Sequence, residues 1–145
     1  MATVKDLLVQ KGPNVLSIHP EATALEAAVL MNQHRVGSLL VMDGDRIVGM
    51  FTERDILQRI VAEERQPSRS RVADVMTTEL ICCRLETTIE EARSAMKNRR
   101  IRHMPVVDDD GRLLGLISIG DLNAWQASSQ EQTIHLMEEY IYGRV

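Results

Sequence analysis

Two pairs of polar residues in this 145-residue chain have the types and the spacing for ligand chemistry. Thr52 lies three positions before Asp55, and Ser118 lies three positions before Asp121. A hydroxyl can donate to a phosphate oxygen, and a carboxylate can accept two hydrogen bonds from the cis-diol of a ribose. The same spacing is also that of an ordinary helix cap. The residues alone leave both interpretations open.

A glycine precedes each pair by three positions, Gly49 in one case and Gly115 in the other. Glycine lacks a Cβ, so we expect the backbone to approach a bound ligand closely at these points. The pairs would also stand at helix N-termini, where free N–H groups and the helix dipole favour an anion such as phosphate. If the pairs bind a ligand rather than only cap a helix, this pattern suits the ribose and phosphate of a nucleotide.

The two pairs belong to a duplicated sequence. Residues 41–55 read VMDGDRIVGMFTERD, and residues 106–121 read VVDDDGRLLGLISIGD. The copies align at an offset of 65 before the acidic turn and 66 after it, and an upstream segment aligns Val4 with Val72. A repeat with a polar pair at matching points indicates a pseudo-symmetric module with two related sites.

A basic cluster distinguishes the second copy. Residues 97–103 read KNRRIRH, and Lys97 and Arg99 are explained by the preference for cations at a helix C-terminus. Arg102 and His103 begin the strand that continues into Pro105, and there they could face a crevice between the copies. The first copy has Gly37 and Ser38 at the matching positions. We therefore expect two unequal sites, of which only one is strongly electropositive.

Each copy predicts a β-α-β-β-α unit from its hydrophobic spacing and turn residues. The predicted strands cover 15–18, 36–42 and 47–51 in the first copy and 80–83, 101–107 and 113–117 in the second. Capping boxes at Thr23 and Thr88 open the first helices, and the final helices cover 53–62 and about 119–126. Residues 63–71 are predicted to be a linker, and 130–142 an amphipathic helix that needs a partner surface. The domain prediction is 1–66 for the first repeat, 67–127 for the second and 128–145 for the C-terminal helix.

Composition excludes several classes of function. The net charge of −4 argues against general binding of nucleic acid or a membrane surface, and the 3% aromatic content against base stacking. No apolar run reaches the roughly 18 residues of a membrane helix, and the N-terminus lacks the apolar segment of a signal peptide. Cys82 and Cys83 are adjacent, so we expect two reduced thiols in a cytoplasmic protein. No phosphate-binding loop, dinucleotide motif or metal-spaced cluster is present, so no catalytic or metal-binding residue is predicted.

The segments VGSLLVMDGDRIVGMFTERDIL and IRHMPVVDDDGRLLGLISIGDL resemble the two halves of a cystathionine-β-synthase (CBS) domain pair, also called a Bateman module. The resemblance covers about residues 4–125. It implies an α/β (α+β) fold of two pseudo-symmetric β-α-β-β-α repeats packed through their sheets, here with a C-terminal helix. Such modules typically bind adenosyl ligands in two clefts between the repeats and report on energy or metabolic state.

The resemblance also implies a set of site residues. The aspartate of each pair would hold the ribose, the hydroxyl would contact ribose or phosphate, basic residues of the partner repeat would hold phosphate, and the adenine would lie on a first strand. For the Asp55 cleft the residues are Thr52, Arg54, Asp55, Thr78, Leu80, Arg102, His103 and Pro105. For the Asp121 cleft they are Val15, Ser17, Gly37, Ser38, Ser118 and Asp121. Gly120 stands where the first copy has Arg54, so the Asp121 cleft lacks that cation too.

These observations predict a regulatory module rather than an enzyme. The expected ligand is an adenine nucleotide, AMP first and then ATP, ADP, NAD or S-adenosylmethionine, with no catalytic cofactor. The expected partners are a second copy in a homodimer and a separate regulated protein, with no nucleic acid and no membrane. The alternative is a structural dimerisation or interaction module that binds no ligand.

Overall fold

The computed structural model describes residues 1–12 and 14–129 of the chain. The helices are α1 Val4–Lys11, α2 Ala24–His34, α3 Glu53–Asp55, α4 Val72–Val75, α5 Ile89–Arg99 and α6 Ile119–Ser129. The strands are β1 Ser17–Ile18, β2 Ser38–Asp43, β3 Arg46–Thr52, β4 His103–Val107 and β5 Leu113–Ser118. A π-helical segment, Ile56–Val61, continues α3. The predicted tail helix lies outside the described residues.

The duplicated sequence forms two matching hairpins. β2 pairs antiparallel with β3, and Val41 lies opposite Gly49; β4 pairs antiparallel with β5, and Val106 lies opposite Gly115. Each ladder has a bulge directly after that valine. The acidic turns contain Gly44 and Gly111 at φ 66° and 79°, a backbone conformation that favours glycine. The predicted repeat of strand, turn and strand is therefore confirmed.

The helix caps repeat as well. At Thr88 the hydroxyl accepts from the Glu91 N–H at 3.0 Å, and the Glu91 carboxylate accepts from the Thr88 N–H at 3.1 Å, so the predicted capping box is complete. At Thr23 the hydroxyl accepts from the Glu26 N–H at 3.1 Å, and this threonine half is the part of the box that forms. Both helices end at a left-handed arginine, Arg35 or Arg100, each with φ 54°.

The first strand predicted in each copy, at 15–18 and at 80–83, is shorter in the structure than the sequence suggested. β1 has only two residues, and at 80–83 only Cys83 pairs, in a parallel bridge with Val106. The Cys83 N–H donates to the Pro105 carbonyl, and the Val107 N–H donates to the Cys83 carbonyl. The next bond of that ladder would need an N–H at residue 105, which proline lacks. The segment therefore leaves the sheet before Cys83.

The two hydrophobic cores exchange their first helices. Val4 and Leu7 of α1 are buried in the core of the second half, beside Met96 and Ile117. Val72 and Val75 of α4 are buried in the core of the first half; their neighbours there include Met31 and Phe51. Matching hydrogen bonds fix the exchange, from the Val4 N–H to the Thr87 carbonyl and from the Val72 N–H to the Ala22 carbonyl, both at 2.8 Å. Each half is therefore completed by a helix that precedes the other half in the chain.

The linker predicted at 63–71 contains one short 3₁₀ helix, Pro67–Arg69, and its end is held in place. Ser70 is buried; its hydroxyl donates to the Gln66 carbonyl at 2.8 Å, and its carbonyl accepts from the Ala24 N–H at 2.7 Å. The polar connection thus leads directly into α4 and delivers it to the first core.

Gly49 on β3 and Gly115 on β5 leave room for another segment of the protein itself. The expectation that they leave room for a bound ligand is wrong. A Cβ at Gly49 would lie 2.7 Å from Met76 Sδ and 2.8 Å from the Thr77 carbonyl oxygen. A Cβ at Gly115 would lie 2.8 Å from Leu8 Cδ2. Leu8 lies within α1 and Met76 directly follows α4, and the offset of Val4 to Val72 makes the two positions equivalent. The glycines therefore make room for the crossing chain segments.

Gly49→Ala should destabilise the fold more than Gly115→Ala. The new methyl at 49 meets a backbone oxygen that cannot rotate away, whereas the methyl at 115 meets the end of a leucine side chain. We expect Gly49→Ala to lower the free energy of unfolding by about 1–3 kcal/mol, as overpacked sites do, with a smaller loss for Gly115→Ala. Urea unfolding of both variants measures this. A larger loss for Gly115→Ala would contradict the packing described here.

Candidate functional site

A cavity of about 640 Å³ lies between the two halves of the chain. This volume is within the range of small-molecule sites. Its lining residues come from the β3–α3 junction, the segment after α4, and the start of β4. They are Gly37, Met50, Thr52, Glu53, Arg54, Asp55, Gln58, Arg59, Thr77, Glu79, Leu80, Ile81, Arg100, Ile101, Arg102, His103 and Pro105.

Asp55 forms a helix cap at the wall of this cavity and is only 4% exposed. Its Oδ2 accepts from the Thr52 N–H at 2.9 Å and from the Thr52 hydroxyl at 3.2 Å. The Asp55 N–H donates to Thr52 Oγ1 at 3.3 Å. The capping interpretation of this pair is therefore correct. Because the cap uses mainly one carboxylate oxygen, it does not by itself exclude a ligand at the other.

The second oxygen of Asp55 is held by two residues that sequence reasoning missed. The Thr77 hydroxyl donates to Oδ1 at 2.9 Å, and Arg59 Nε lies 3.6 Å from the same oxygen. Thr77 is fixed by paired backbone bonds with Met50, at 2.8 and 2.9 Å. Thr78, which was expected in the cleft, lies outside the lining and is exposed, because neighbouring residues of an extended chain point to opposite sides.

The cavity collects positive charge in a chain whose net charge is −4. Four guanidinium groups line it, those of Arg54, Arg59, Arg100 and Arg102, against three carboxylates, those of Glu53, Asp55 and Glu79. Arg102 and His103 thus lie in the same cavity as Asp55, as the sequence predicted. Arg100 belongs to the same basic cluster in the sequence but was not among the predicted site residues.

Most residues predicted for the Asp121 cleft do not line the cavity with Asp55. Gly37 was assigned to the Asp121 cleft but lines the cavity with Asp55, because its carbonyl accepts from the Glu53 N–H at 3.0 Å and holds it at its own half's junction. Ser38 is buried opposite Thr52 in the sheet, outside the lining. Val15 and Ser17, predicted for the Asp121 cleft, do not line the cavity with Asp55 and are half-buried and exposed respectively; their assignment stays a prediction. Leu80 and Pro105 do line it.

The second polar pair repeats the cap but has a different neighbour. The Ser118 N–H donates to Asp121 Oδ2 at 2.8 Å, and the Asp121 N–H donates to Ser118 Oγ at 3.0 Å. Lys11 Nζ, from the exchanged helix α1, lies 2.6 Å from Asp121 Oδ2 and 2.6 Å from the Leu116 carbonyl oxygen. The cleft lacks the cation that the first half has at Arg54, but Lys11 supplies a cation from another element, which was not expected from the sequence. The sequence does contain a signal for the position of this lysine. The offset that aligns Val4 with Val72 also aligns Lys11 with Glu79, which lines the cavity.

His103 lies near both polar pairs. In β4 it is paired with Ser118, and its ring also lines the cavity with Asp55. Burial lowers the pKa of His103 below its ordinary value, and the charges of Lys11 and Arg102 lower it further, while Asp121 and Glu53 act in the opposite direction. The imidazole is therefore neutral near pH 7, and it stands at a wall shared by the two clefts.

The described residues offer little for other chemistry. Cys82 and Cys83 are free, and burial raises the pKa of Cys83 to about 12, so this thiol is a poor nucleophile. Between residues 1 and 129, apart from Pro13, no cluster of three or more metal-ligating side chains occurs. Over the same residues, no helix has the length and apolar character needed to span a bilayer.

Comparison with known proteins identifies the repeated unit. The CBS domain family model matches the chain twice, over residues 4–62 and 72–128. The CBS domain-containing protein YhcV of Bacillus subtilis is 36% identical over 130 residues, covering 90% of this chain and 89% of that protein. A solved protein with CBS domains from Burkholderia ambifaria is 35% identical with a TM-score of 0.84, covering 89% of this chain and 96% of that one.

A more distant structure supports the fold alone. The CBS domain pair of protein MJ0100, solved in complex with 5′-methylthioadenosine and S-adenosyl-L-methionine, has a TM-score of 0.77 at 23% identity. It covers 89% of this chain and 98% of that one. Together with the two family matches, these similarities establish that the chain belongs to the CBS domain family and contains a CBS domain pair.

Titration of His103 should make the fold sensitive to mild acid. In the unfolded chain histidine has its ordinary pKa of about 6.5, whereas in the folded protein the pKa of His103 is lower. The unfolded state therefore binds more protons below about pH 6.5, so stability falls with pH there and levels off below the folded pKa. Urea unfolding at about pH 7.5 and 5.5 should show a larger loss for wild type than for His103→Gln. An NMR titration placing His103 above its ordinary pKa would contradict the environment described.

Proposed function

We propose that this CBS domain pair is a regulatory module that binds one adenine nucleotide in the cavity beside Asp55 and transmits its occupancy to a separate protein. The observation that carries the proposal is the juxtaposition of a buried carboxylate with four arginines in one cavity between the halves. A ribose needs acceptors for its hydroxyls, and phosphates need cationic donors. The cavity offers both within about 640 Å³.

The charges favour phosphate-bearing ligands. The side chains of Arg54, Arg100 and Arg102 are exposed along the cavity. They can therefore contact the phosphate oxygens of a ligand while they remain accessible to solvent. A neutral His103 can donate one further hydrogen bond. AMP is therefore the first candidate, followed by ATP, ADP and NAD. S-adenosylmethionine, which the distant protein MJ0100 binds, carries a sulfonium charge that these arginines repel.

Occupancy can be transmitted through Thr77. A ribose diol approaching Asp55 competes with the Thr77 hydroxyl for Oδ1. Thr77 is bonded to Met50 and begins the segment that supplies Glu79, Leu80 and Ile81 to the cavity wall. Displacing its hydroxyl would shift the segment that joins α4 to the second half. The regulated protein itself would read that shift.

A thermal-shift panel of AMP, ADP, ATP, NAD and S-adenosylmethionine tests ligand binding. A ligand at about 100 times its Kd adds about 2.7 kcal/mol to the stability of the folded state. The melting temperature should then rise by about 2–6 °C, with the nucleotides ahead of S-adenosylmethionine. If none of the five shifts the melting temperature at millimolar concentration, the proposal fails.

The two left-handed arginines supply matched variants for the same test. Arg100 lines the cavity and Arg35, its counterpart in the first half, does not. Glycine relieves the left-handed strain at either site, so Arg100→Gly and Arg35→Gly should each gain about 1 kcal/mol of stability. Only Arg100→Gly should lose affinity for AMP, by about 10- to 100-fold in calorimetric titration. Equal affinities would remove Arg100 from the site.

An interaction module without a ligand is the second candidate, favoured by an exposed apolar pair. Leu57 and Val61 are 62% and 61% exposed and lie four residues apart, on one face of the π-helical segment. Ile60 and Leu122, on the same final helical segments, are buried in the cores of their own halves and are not exposed to a partner. The amphipathic helix predicted at 130–142, which needs a partner surface, lies outside the described residues.

We expect this apolar pair to join two copies in a symmetric homodimer, the commonest closed oligomer. Replacing Leu57 and Val61 together by Asp should dissociate the dimer in sedimentation at micromolar concentration. The matched control replaces Leu25 and Val29, a comparably spaced exposed pair on α2, and should leave the dimer intact. A wild-type protein sedimenting as one species near 16.4 kDa would contradict the dimer.

A further inference from the structure

The Asp121 cleft contains an internal cation where the Asp55 cleft is open. Lys11 Nζ contacts Asp121 Oδ2 and the Leu116 carbonyl oxygen, each at 2.6 Å. The side chains of Lys11 and Asp121 are 33% and 24% exposed, so the ion pair is partly accessible to solvent. An ammonium group donates hydrogen bonds, as ribose hydroxyls do. Lys11 therefore competes for the carboxylate that a nucleoside would need.

The equivalent position in the other cleft has the opposite charge. The alignment of Val4 with Val72 places Lys11 opposite Glu79, which lines the open cavity and leaves Asp55 to the neutral Thr77 hydroxyl and the more distant Arg59. A neutral hydroxyl is a weaker donor to a carboxylate than an ammonium group. A ligand can therefore displace Thr77 from Asp55 more easily than Lys11 from Asp121.

The helix that supplies Lys11 is firmly placed. Val4 and Leu7 of α1 are buried in the second core, and the N–H groups of Val4 and Lys5 donate to the carbonyls of Thr87 and Leu85. Lys11 is the last residue of this helix, so its ammonium group is held close to Asp121 by the fold itself. The ion pair does not depend on a flexible loop closing over the cleft.

We propose that Lys11 is a specificity-determining residue that closes the Asp121 cleft to nucleosides, so that each chain takes one nucleotide, in the Asp55 cleft. This inference rests on the proposed function, since it concerns which of the two clefts the ligand enters. It also accounts for the inequality of the clefts by a single residue from the opposite half.

Calorimetric titration with AMP tests the stoichiometry. Wild type should bind one AMP per chain, and Lys11→Ala should bind a second, at least about tenfold tighter than any second event in wild type. Lys11 is exposed at a helix end, so alanine leaves the core intact. Lys5→Ala, on the same helix and also exposed, is the matched control and should behave as wild type.

A double variant locates the new site. Adding Asp121→Asn to Lys11→Ala should abolish the second event and leave the first unchanged. Persistence of the second event would mean that removing Lys11 opened some other site, and the inference would be wrong. A second AMP bound by wild type as tightly as by Lys11→Ala would also overturn it, while leaving the proposed function in place.

The remaining outcomes separate the two proposals. If wild type binds no AMP and Lys11→Ala binds one molecule per chain, the Asp55 site fails and the role of Lys11 stands. If wild type binds one and Lys11→Ala still binds one with unchanged affinity, the role of Lys11 fails and the Asp55 site stands. If neither protein binds AMP, both proposals are overturned.

Discussion

Two backbone hydrogen bonds between Met50 and Thr77 hold the candidate site together. They are possible because Gly49 has no side chain where the Met76–Thr77 segment crosses the return strand. The crossing keeps α4 on the first core, points the Thr77 hydroxyl at Asp55 and sends residues 79–81 along the cavity. The contact of Thr77 with Asp55 and the placement of residues 79–81 therefore depend on a close approach of two backbones.

Duplication has produced two similar frameworks with different electrostatics. Both halves share the hairpin, the bulge, the capped carboxylate and the crossing segment, because these follow from backbone hydrogen bonding and from small residues at fixed points. The side chains that face the clefts are free to differ, since they affect neither core. Glu79 and Lys11 occupy matching places with opposite charge, and Arg54 corresponds to Gly120. The fold thus accommodates opposite charges at equivalent positions of the two halves.

The local parts of this arrangement were predictable and the crossed parts were not. Thr88 and Glu91, or the turn at Gly44, can be recognised because the interacting residues lie within a few positions of one another. The grouping of Asp55 with Arg102 and His103 could be expected only through resemblance to a known family. Thr77 and Lys11 were missed because both reach their carboxylates by way of the exchanged helices, which no periodicity reveals. The missing N–H of Pro105 likewise ended a strand that hydrophobicity alone predicted to be longer.

The exchange of helices has a consequence for the order in which the chain can fold during its synthesis. All of the core formed by α2, β2, β3 and α4 has left the ribosome soon after Val75, and it can close at once. Helix α1 is synthesised earlier, but the core residues that it packs against include some as late as Leu122. Its apolar face therefore stays without its packing partners during most of translation. Contacts over such a separation form slowly because the intervening chain must first be ordered. The first helix to be synthesised is thus among the last to find its place.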